Sequence, residues 1–227
     1  MKQNFTILFD LDGTLVDTAP DLMLAHNHVM KKFGYPTKST EDIRNLVGKG
    51  AGALIGRSIW GQAKKEFSKV LDAKIKDEMV KEFVNFYGKN IVNESTLVTG
   101  VKDFLIWCKE QNISMAVCTN KQEHLSNDLL KKIGIYDFFE YVAGSDTFDY
   151  CKPDPRHLTN VVEILDGDVK KTIMIGDSET DANAAKAAEI PVILLENGYT
   201  EKNTTEIYHN HLIKDFIGIE KIISKYL

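Results

Sequence analysis

The chain is poor in cysteine, has no long apolar run and carries no surplus of positive charge. Each shortage excludes something. Its three cysteines, Cys108, Cys118 and Cys151, are odd in number, widely spaced and free of any Cys-x-x-Cys pair. They read as free thiols in a reducing compartment, and Cys118, inside a probable strand, as a small buried hydrophobe. No segment approaches about eighteen uninterrupted apolar residues, so no membrane-crossing helix is expected. A net charge of −5 gives no electrostatic reason to bind nucleic acid or an anionic membrane. Residues 1–4 pass into an apolar stretch without the basic, apolar and small-residue regions of a signal peptide, so a cytoplasmic location is expected. Internal repeats and low-complexity segments are lacking. His26, His28, His209 and His211 lack the i, i+4 spacing of a zinc helix and read as surface or structural residues. Trp60 and Trp107 read as packing residues.

What is present supports a substantial core. The chain has 227 residues, of which 43% are hydrophobic, enough for one core and a smaller second lobe. Short apolar runs at 5–9, 113–118, 141–143, 172–175 and 192–195 read as buried strands. Helical patterns at 101–111, 123–133, 155–165 and 179–188 alternate with the later ones. Strands apolar on both faces, with helices between them, predict an α/β, doubly wound (Rossmann-like) core with a five-stranded parallel sheet. Residues 20–90 have no strand-like run. Pro20 suits a first helical turn, Gly34 ends that helix, and Val80, Phe83, Val84 and Tyr87 fall at helical spacing over 77–87. The expected division is a core of 1–16 and 91–227 with an inserted helical cap at 17–90. Residues 215–227 read as a final packing helix.

The most informative stretch is Asp10-Leu11-Asp12-Gly13-Thr14-Leu15-Val16-Asp17, directly after the first strand. Side chains two apart would share a face if the strand simply continued, whereas Gly13 suggests that the backbone turns. Two carboxylates this close repel, and a cation such as Mg²⁺, which prefers one or two carboxylates with water and substrate phosphate, would offset them. A solvated turn rich in Asp and Gly is the plainer alternative. Thr119 and Asn120, Lys152, and Asp177 with Asp181 lie at later strand ends or in loops entering helices. In an open parallel sheet that edge binds ligands. Taken singly, Thr119-Asn120 could be a helix cap, Asp181 a first-turn charge and Lys152 a solvated lysine. Together they suit phosphoryl transfer, which needs a carboxylate nucleophile, an acid–base partner, a cation and donors to phosphate oxygens.

The octet resembles the Asp-x-Asp-x-Thr motif of the haloacid dehalogenase-like hydrolases. Its continuation, Asp17-Thr18-Ala19-Pro20-Asp21-Leu22, is similar to bacterial phosphoglycolate phosphatases. The resemblance implies Asp10 as nucleophile and metal ligand, and Asp12 as acid/base that binds metal through its carbonyl. It implies Thr119 as the phosphate-binding hydroxyl, Lys152 as the catalytic lysine of the third motif, amides of Leu11 and Asn120 on the phosphate, Asp177 as a direct Mg²⁺ ligand and Asp181 as a supporting one. Residues 46–54 are similar to the glycine-containing cap stretch of those phosphatases, where Lys49 or Arg57 would pair with a substrate carboxylate. The implied activity is Mg²⁺-dependent hydrolysis of a small phosphomonoester, 2-phosphoglycolate first, by a monomer or homodimer. Pyrophosphatase or nucleotidase activity is the alternative. Leu22, where β-phosphoglucomutases typically have histidine, counts against a mutase, and Asp12 against a dehalogenase. A non-catalytic phospho-acceptor switch is the rival from another class. Glu189 stands where relatives often carry glycine, which affects local turn geometry.

Overall fold

The computed structural model describes residues 5–60 and 69–227; residues 1–4 and the side chain of Trp60 lie outside the described residues. In chain order the strands are β1 (Thr6–Phe9), β2 (Val16–Asp17), β3 (Thr96–Leu97), β4 (Ser114–Cys118), β5 (Tyr141–Ala143), β6 (Thr172–Gly176), β7 (Val192–Leu195) and β8 (His211–Ile213). The helices are α1 (Ala19–Phe33), α2 (Thr40–Arg44), α3 (Ala51–Trp60), α4 (Lys69–Lys89), α5 (Val101–Glu110), α6 (Glu123–Ile133), α7 (Arg156–Ile164), α8 (Glu179–Ala187) and α9 (Glu220–Ile223).

The sheet is parallel, with strand order β5-β4-β1-β6-β7-β8. It has six strands rather than the expected five. The missed strand, β8, is three residues long, sits at the sheet edge and begins with a histidine, so no apolar run marks it. Strand β1 is buried along its whole length. Ile7 and Phe9 enter the apolar cluster on one face, and Leu8 enters the cluster on the other. Phe9 meets Phe104 and Phe139 edge-on, with centroids 6.2 and 5.8 Å away. On the opposite face, Leu8 shares a cluster with Leu158 and with Ala182 and Ala185 of α8, whose small side chains let that helix approach the sheet. Phe9 pairs in register with Val117 on one side and Ile175 on the other. Strands β1, β4 and β6 therefore end level, and their loops open side by side.

Helix α1 begins with Pro20 in its first turn and stops at Gly34, whose φ of 75° closes the last turn. It packs along α4, where His28 stacks on Phe86 at 4.0 Å and donates from Nε2 to the Glu82 carboxylate at 2.7 Å. The expected 77–87 helix is part of α4. The expected tail helix over 215–227 is reduced to α9, with Gly218 at φ 78° just before it. Phe216, Ile219 and Ile223 nevertheless bury. Glu189, at φ 57°, adopts the left-handed conformation that glycine would take at less cost.

The passage out of β1 and the return toward α5 are tied together twice. Strands β2 and β3 form an antiparallel ribbon, which the sequence patterns do not show. Beside it, buried Asp21 accepts from the backbone amides of Asn93 (3.0 Å), Glu94 (3.0 Å) and Ser95 (2.9 Å) and from the Ser95 hydroxyl (2.6 Å). Loss of this anion strands the buried amide and hydroxyl of Ser95 and frees the part-buried amides of Asn93 and Glu94. Asp21→Ala is expected to lower unfolding free energy by about 3 kcal/mol, read as a shift in urea midpoint. Asp21→Asn should recover little, because its amide turns a donor toward donors. A midpoint unchanged in both variants would contradict the clamp.

Candidate active site

The ladder continues one residue past β1, with the Asp10 amide donating to the Ile175 carbonyl at 2.9 Å. The chain then coils, and the Leu15 and Val16 amides both return to the Leu11 carbonyl. Gly13 sits at φ 85°, and a Cβ there would lie 2.1 Å from an Asp177 carboxylate oxygen. Glycine is required by the conformation and again by the close approach. Leu11 is fully buried, so its side chain belongs to the core.

The turn sends the two aspartates to different partners. Asp10 accepts a 2.8 Å bond from Lys152, which also donates to Asp181 at 2.5 Å. Asp12 instead accepts from Lys121 through both oxygens, at 2.8 Å each, and from the Thr18 hydroxyl at 2.7 Å. Asp181 caps α8: its second oxygen takes the Ser178 hydroxyl at 2.7 Å and the Ser178 amide at 3.1 Å. Asp177 accepts from the Tyr199 amide at 2.7 Å. Gly198 permits that bond, since a Cβ on it would collide with the Asp177 backbone.

Asp10, Asp177 and Asp181 each offer a carboxylate oxygen within 4.8 Å of the others, and all three residues are buried. Burial pushes Asp10 up to about 7, with the Lys152 cation pulling the other way and Asp181 adding to the rise. Burial, then the charges of Asp10 and Asp181, push Asp177 well above the ordinary carboxylate range. Burial disfavours the Lys152 charge, but Asp10 and Asp181 overcome it and hold Lys152 above the usual ammonium range. One ammonium thus faces three carboxylates. A set of hard oxygen donors carrying excess negative charge fits a divalent cation such as Mg²⁺.

A cavity of about 290 Å³ opens over this site, between the strand ends and residues of α3 and α4. Asp10, Asp12, Thr119 and Asn120 line the strand-end side, and Lys49 with its neighbouring glycines lines the other. Thr119 accepts from the Lys121 amide at 3.2 Å. Asn120 donates to the carbonyls of Lys152 (2.9 Å) and Gly48 (3.1 Å), joining the lysine loop to the glycine loop. Arg57 is not brought to this cavity. Its guanidinium donates to the carbonyls of Leu46 and Asn45 and pairs with Glu201, so it is already neutralised. Two residues at the site, Lys121, one residue beyond Thr119-Asn120, and Tyr199, are marked by no sequence pattern.

A family profile described as haloacid dehalogenase-like hydrolase matches residues 7–195. The phosphoglycolate phosphatase of Caulobacter vibrioides is 38% identical over 216 residues, covering 95% of this chain and 89% of that one. That of Mesorhizobium japonicum is 37% identical over 210 residues, covering 92% and 90%. The crystal structure of a predicted phosphoglycolate phosphatase from Haemophilus somnus superposes with a TM-score of 0.88 at 31% identity, covering 98% and 99%.

Behind the lysine loop, buried His157 bonds through Nε2 to the Gly144 carbonyl at 3.2 Å, which assigns the proton to Nε2. Burial and then the Lys152 charge lower it to about 4. The unfolded chain therefore binds a proton between about pH 6.5 and 4 that the folded chain does not, and stability falls as pH falls through that window. His157→Gln is expected to flatten the dependence of thermal midpoint on pH between 7 and 5. Identical slopes in the two proteins would contradict the assignment.

Proposed function

The chain belongs to the haloacid dehalogenase-like hydrolases, as a phosphatase, and on that footing we propose that it hydrolyses 2-phosphoglycolate through a phosphoryl-aspartate on Asp10. The observation that carries this reading is a buried carboxylate, Asp10, held by Lys152 at 2.8 Å on the wall of a cavity beside two further acids. Relatives covering most of the chain at similar identity carry the name phosphoglycolate phosphatase. The cavity volume suits a small phosphorylated metabolite.

In the first half-reaction an Asp10 oxygen attacks phosphorus, and the ester oxygen departs with a proton from Asp12. In the second, water attacks the phosphoryl group, returns a proton to Asp12 and frees Asp10 with inorganic phosphate. Lys152 fixes the unused Asp10 oxygen and keeps its charge near the phosphoryl oxygens. The Thr119 hydroxyl and the amides of Leu11 and Asn120 supply donors to the same oxygens. Asp10, Asp177 and the Asp12 carbonyl, with Asp181 in support, would hold Mg²⁺, which would supply when bound the positive charge that the carboxylates and phosphate together require. Lys49 adds a cation from the glycine loop. Arg57 serves the contact with Glu201 instead of the substrate.

Residues 17–90 act as a cap on the core of 1–16 and 91–227, excluding bulk water while the phosphoryl group is in transit. The reaction belongs in the cytoplasm, in keeping with free thiols at Cys108, Cys118 and Cys151. Among the described residues no helix is long and apolar enough to cross a membrane.

Phosphate release with Mg²⁺ across a panel of phosphomonoesters is expected to rank 2-phosphoglycolate first. Asp10→Asn should lower kcat at least about 1,000-fold on every ester, and Asp12→Ala should lose more on alkyl esters than on esters with a good leaving group. Undiminished turnover in Asp10→Asn would overturn the mechanism.

A further inference from the structure

The cations around the site divide into those that line the cavity and those that do not. Lys152 is spent between Asp10 and Asp181. Arg57 is taken by Glu201, and Arg44 by Asp17 at 2.7 Å. Lys49 and Lys121 line the cavity. They differ in how they are held. Lys49 comes from the glycine loop, between Gly48 and Gly50, which both have positive φ. Lys121 is buried, with its ammonium 2.8 Å from both Asp12 oxygens and 4.5 Å from the centre of the Tyr87 ring. Tyr87 belongs to α4 and also lines the cavity, and its buried hydroxyl has no hydrogen-bond partner. An ammonium is thus fixed in place by a carboxylate on one side and an aromatic face on the other.

The position of Asp12 says what this ammonium can read. If Asp12 serves the ester oxygen, the substrate's leaving group must lie against it, on the same side as Lys121. In an ester of a 2-hydroxy acid, a single carbon separates the ester oxygen from the carboxylate carbon. A cation in bidentate contact with Asp12 lies within ion-pair reach of that second anion. We propose that Lys121 is the specificity-determining residue that pairs with the leaving group's carboxylate, exchanging part of its contact with Asp12 for the substrate. The inference rests on the phosphomonoesterase reading above and moves carboxylate recognition from the cap residues Lys49 and Arg57 to the core loop after β4.

A site built to pair a carboxylate discriminates strongly against an analogue lacking it, because the buried cation then goes without that partner. The rigid seat of Lys121 strengthens this, since no loop ordering accompanies the contact. Tyr87 supports the seat by covering the ammonium without neutralising it.

The test compares 2-phosphoglycolate with 2-hydroxyethyl phosphate, which replaces the carboxylate with an uncharged alcohol. In the wild-type protein the ratio of kcat/KM for the two esters is expected to be about 100 or more. Lys121→Met, which keeps the apolar stem, should bring the ratio to within a few-fold of one. Lys121→Arg, which keeps the charge, should restore most of it, and far-UV circular dichroism establishes that each variant is folded. Lys49→Met should leave the ratio near its wild-type value. A high ratio retained in Lys121→Met, or a ratio lost in Lys49→Met instead, overturns the role of Lys121 while leaving the phosphatase reading intact. A wild-type ratio near one removes the carboxylate-bearing substrate itself, and the proposal with it. Should Lys121→Met fail to fold, a low ratio in folded Lys121→Gln supports the assignment and a high one overturns it.

Discussion

The contact between buried Lys152 and the two carboxylates of Asp10 and Asp181 constrains everything at this edge of the sheet. It joins the end of β1 to the first turn of α8 through a side chain carried by a third loop. A lone ammonium in such a place would be costly, and so would each carboxylate; their mutual distances of 2.8 and 2.5 Å make the burial tolerable. The balance is incomplete, because Asp177 adds a third acid to the cluster. Raised carboxylates favour the folded state only while protonated. Their contribution is fully present below the ordinary carboxylate range and is lost as pH rises through about 7, the value reached by Asp10. Near neutral pH the site therefore calls for a further positive charge.

The same frame extends toward the helical region. Tyr199 holds Asp177 through its amide, while its hydroxyl donates to Asp17 at 2.5 Å and accepts from the Ala19 amide at 2.9 Å. Arg44 of α2 pairs with Asp17 and lies 5.4 Å from the centre of the Tyr199 ring. One residue thus touches the acid cluster, the exit from β2 and an arginine of α2. Asn120 makes a second link, from the lysine loop to the Gly48 carbonyl. These contacts make the position of the helices over the cavity a property of the site as well as of their own packing.

Much of this was legible because buried parallel strands are written as apolar runs and because the chemistry-bearing residues follow them directly. Five strands, their alternation with helices and the grouping of Asp10, Thr119, Lys152 and Asp177 at one edge come from that pattern. The sixth strand was not legible, since His211 interrupts the apolar signal and an edge position asks for little burial. The β2–β3 ribbon is too short to show a period. Lys121 and Tyr199 act through distance in space, and nothing in their local sequence distinguishes them from a solvated lysine or a packing tyrosine. Arg57 reads as a ligand for an anion, and it does meet one; the partner is Glu201, which lies far along the chain and therefore outside any local pattern.

The strand-end acids Asp10, Asp177 and Asp181 form a cluster whose oxygens fit a divalent cation. The direct measurement is the thermal midpoint of the metal-free protein titrated with Mg²⁺ at pH 7.5. A ligand that binds the folded state alone raises the midpoint continuously with its concentration. Such a rise is expected, larger at pH 7.5 than at pH 6, and is expected to vanish in Asp177→Asn. A midpoint that stays flat through millimolar Mg²⁺ at both pH values would contradict it.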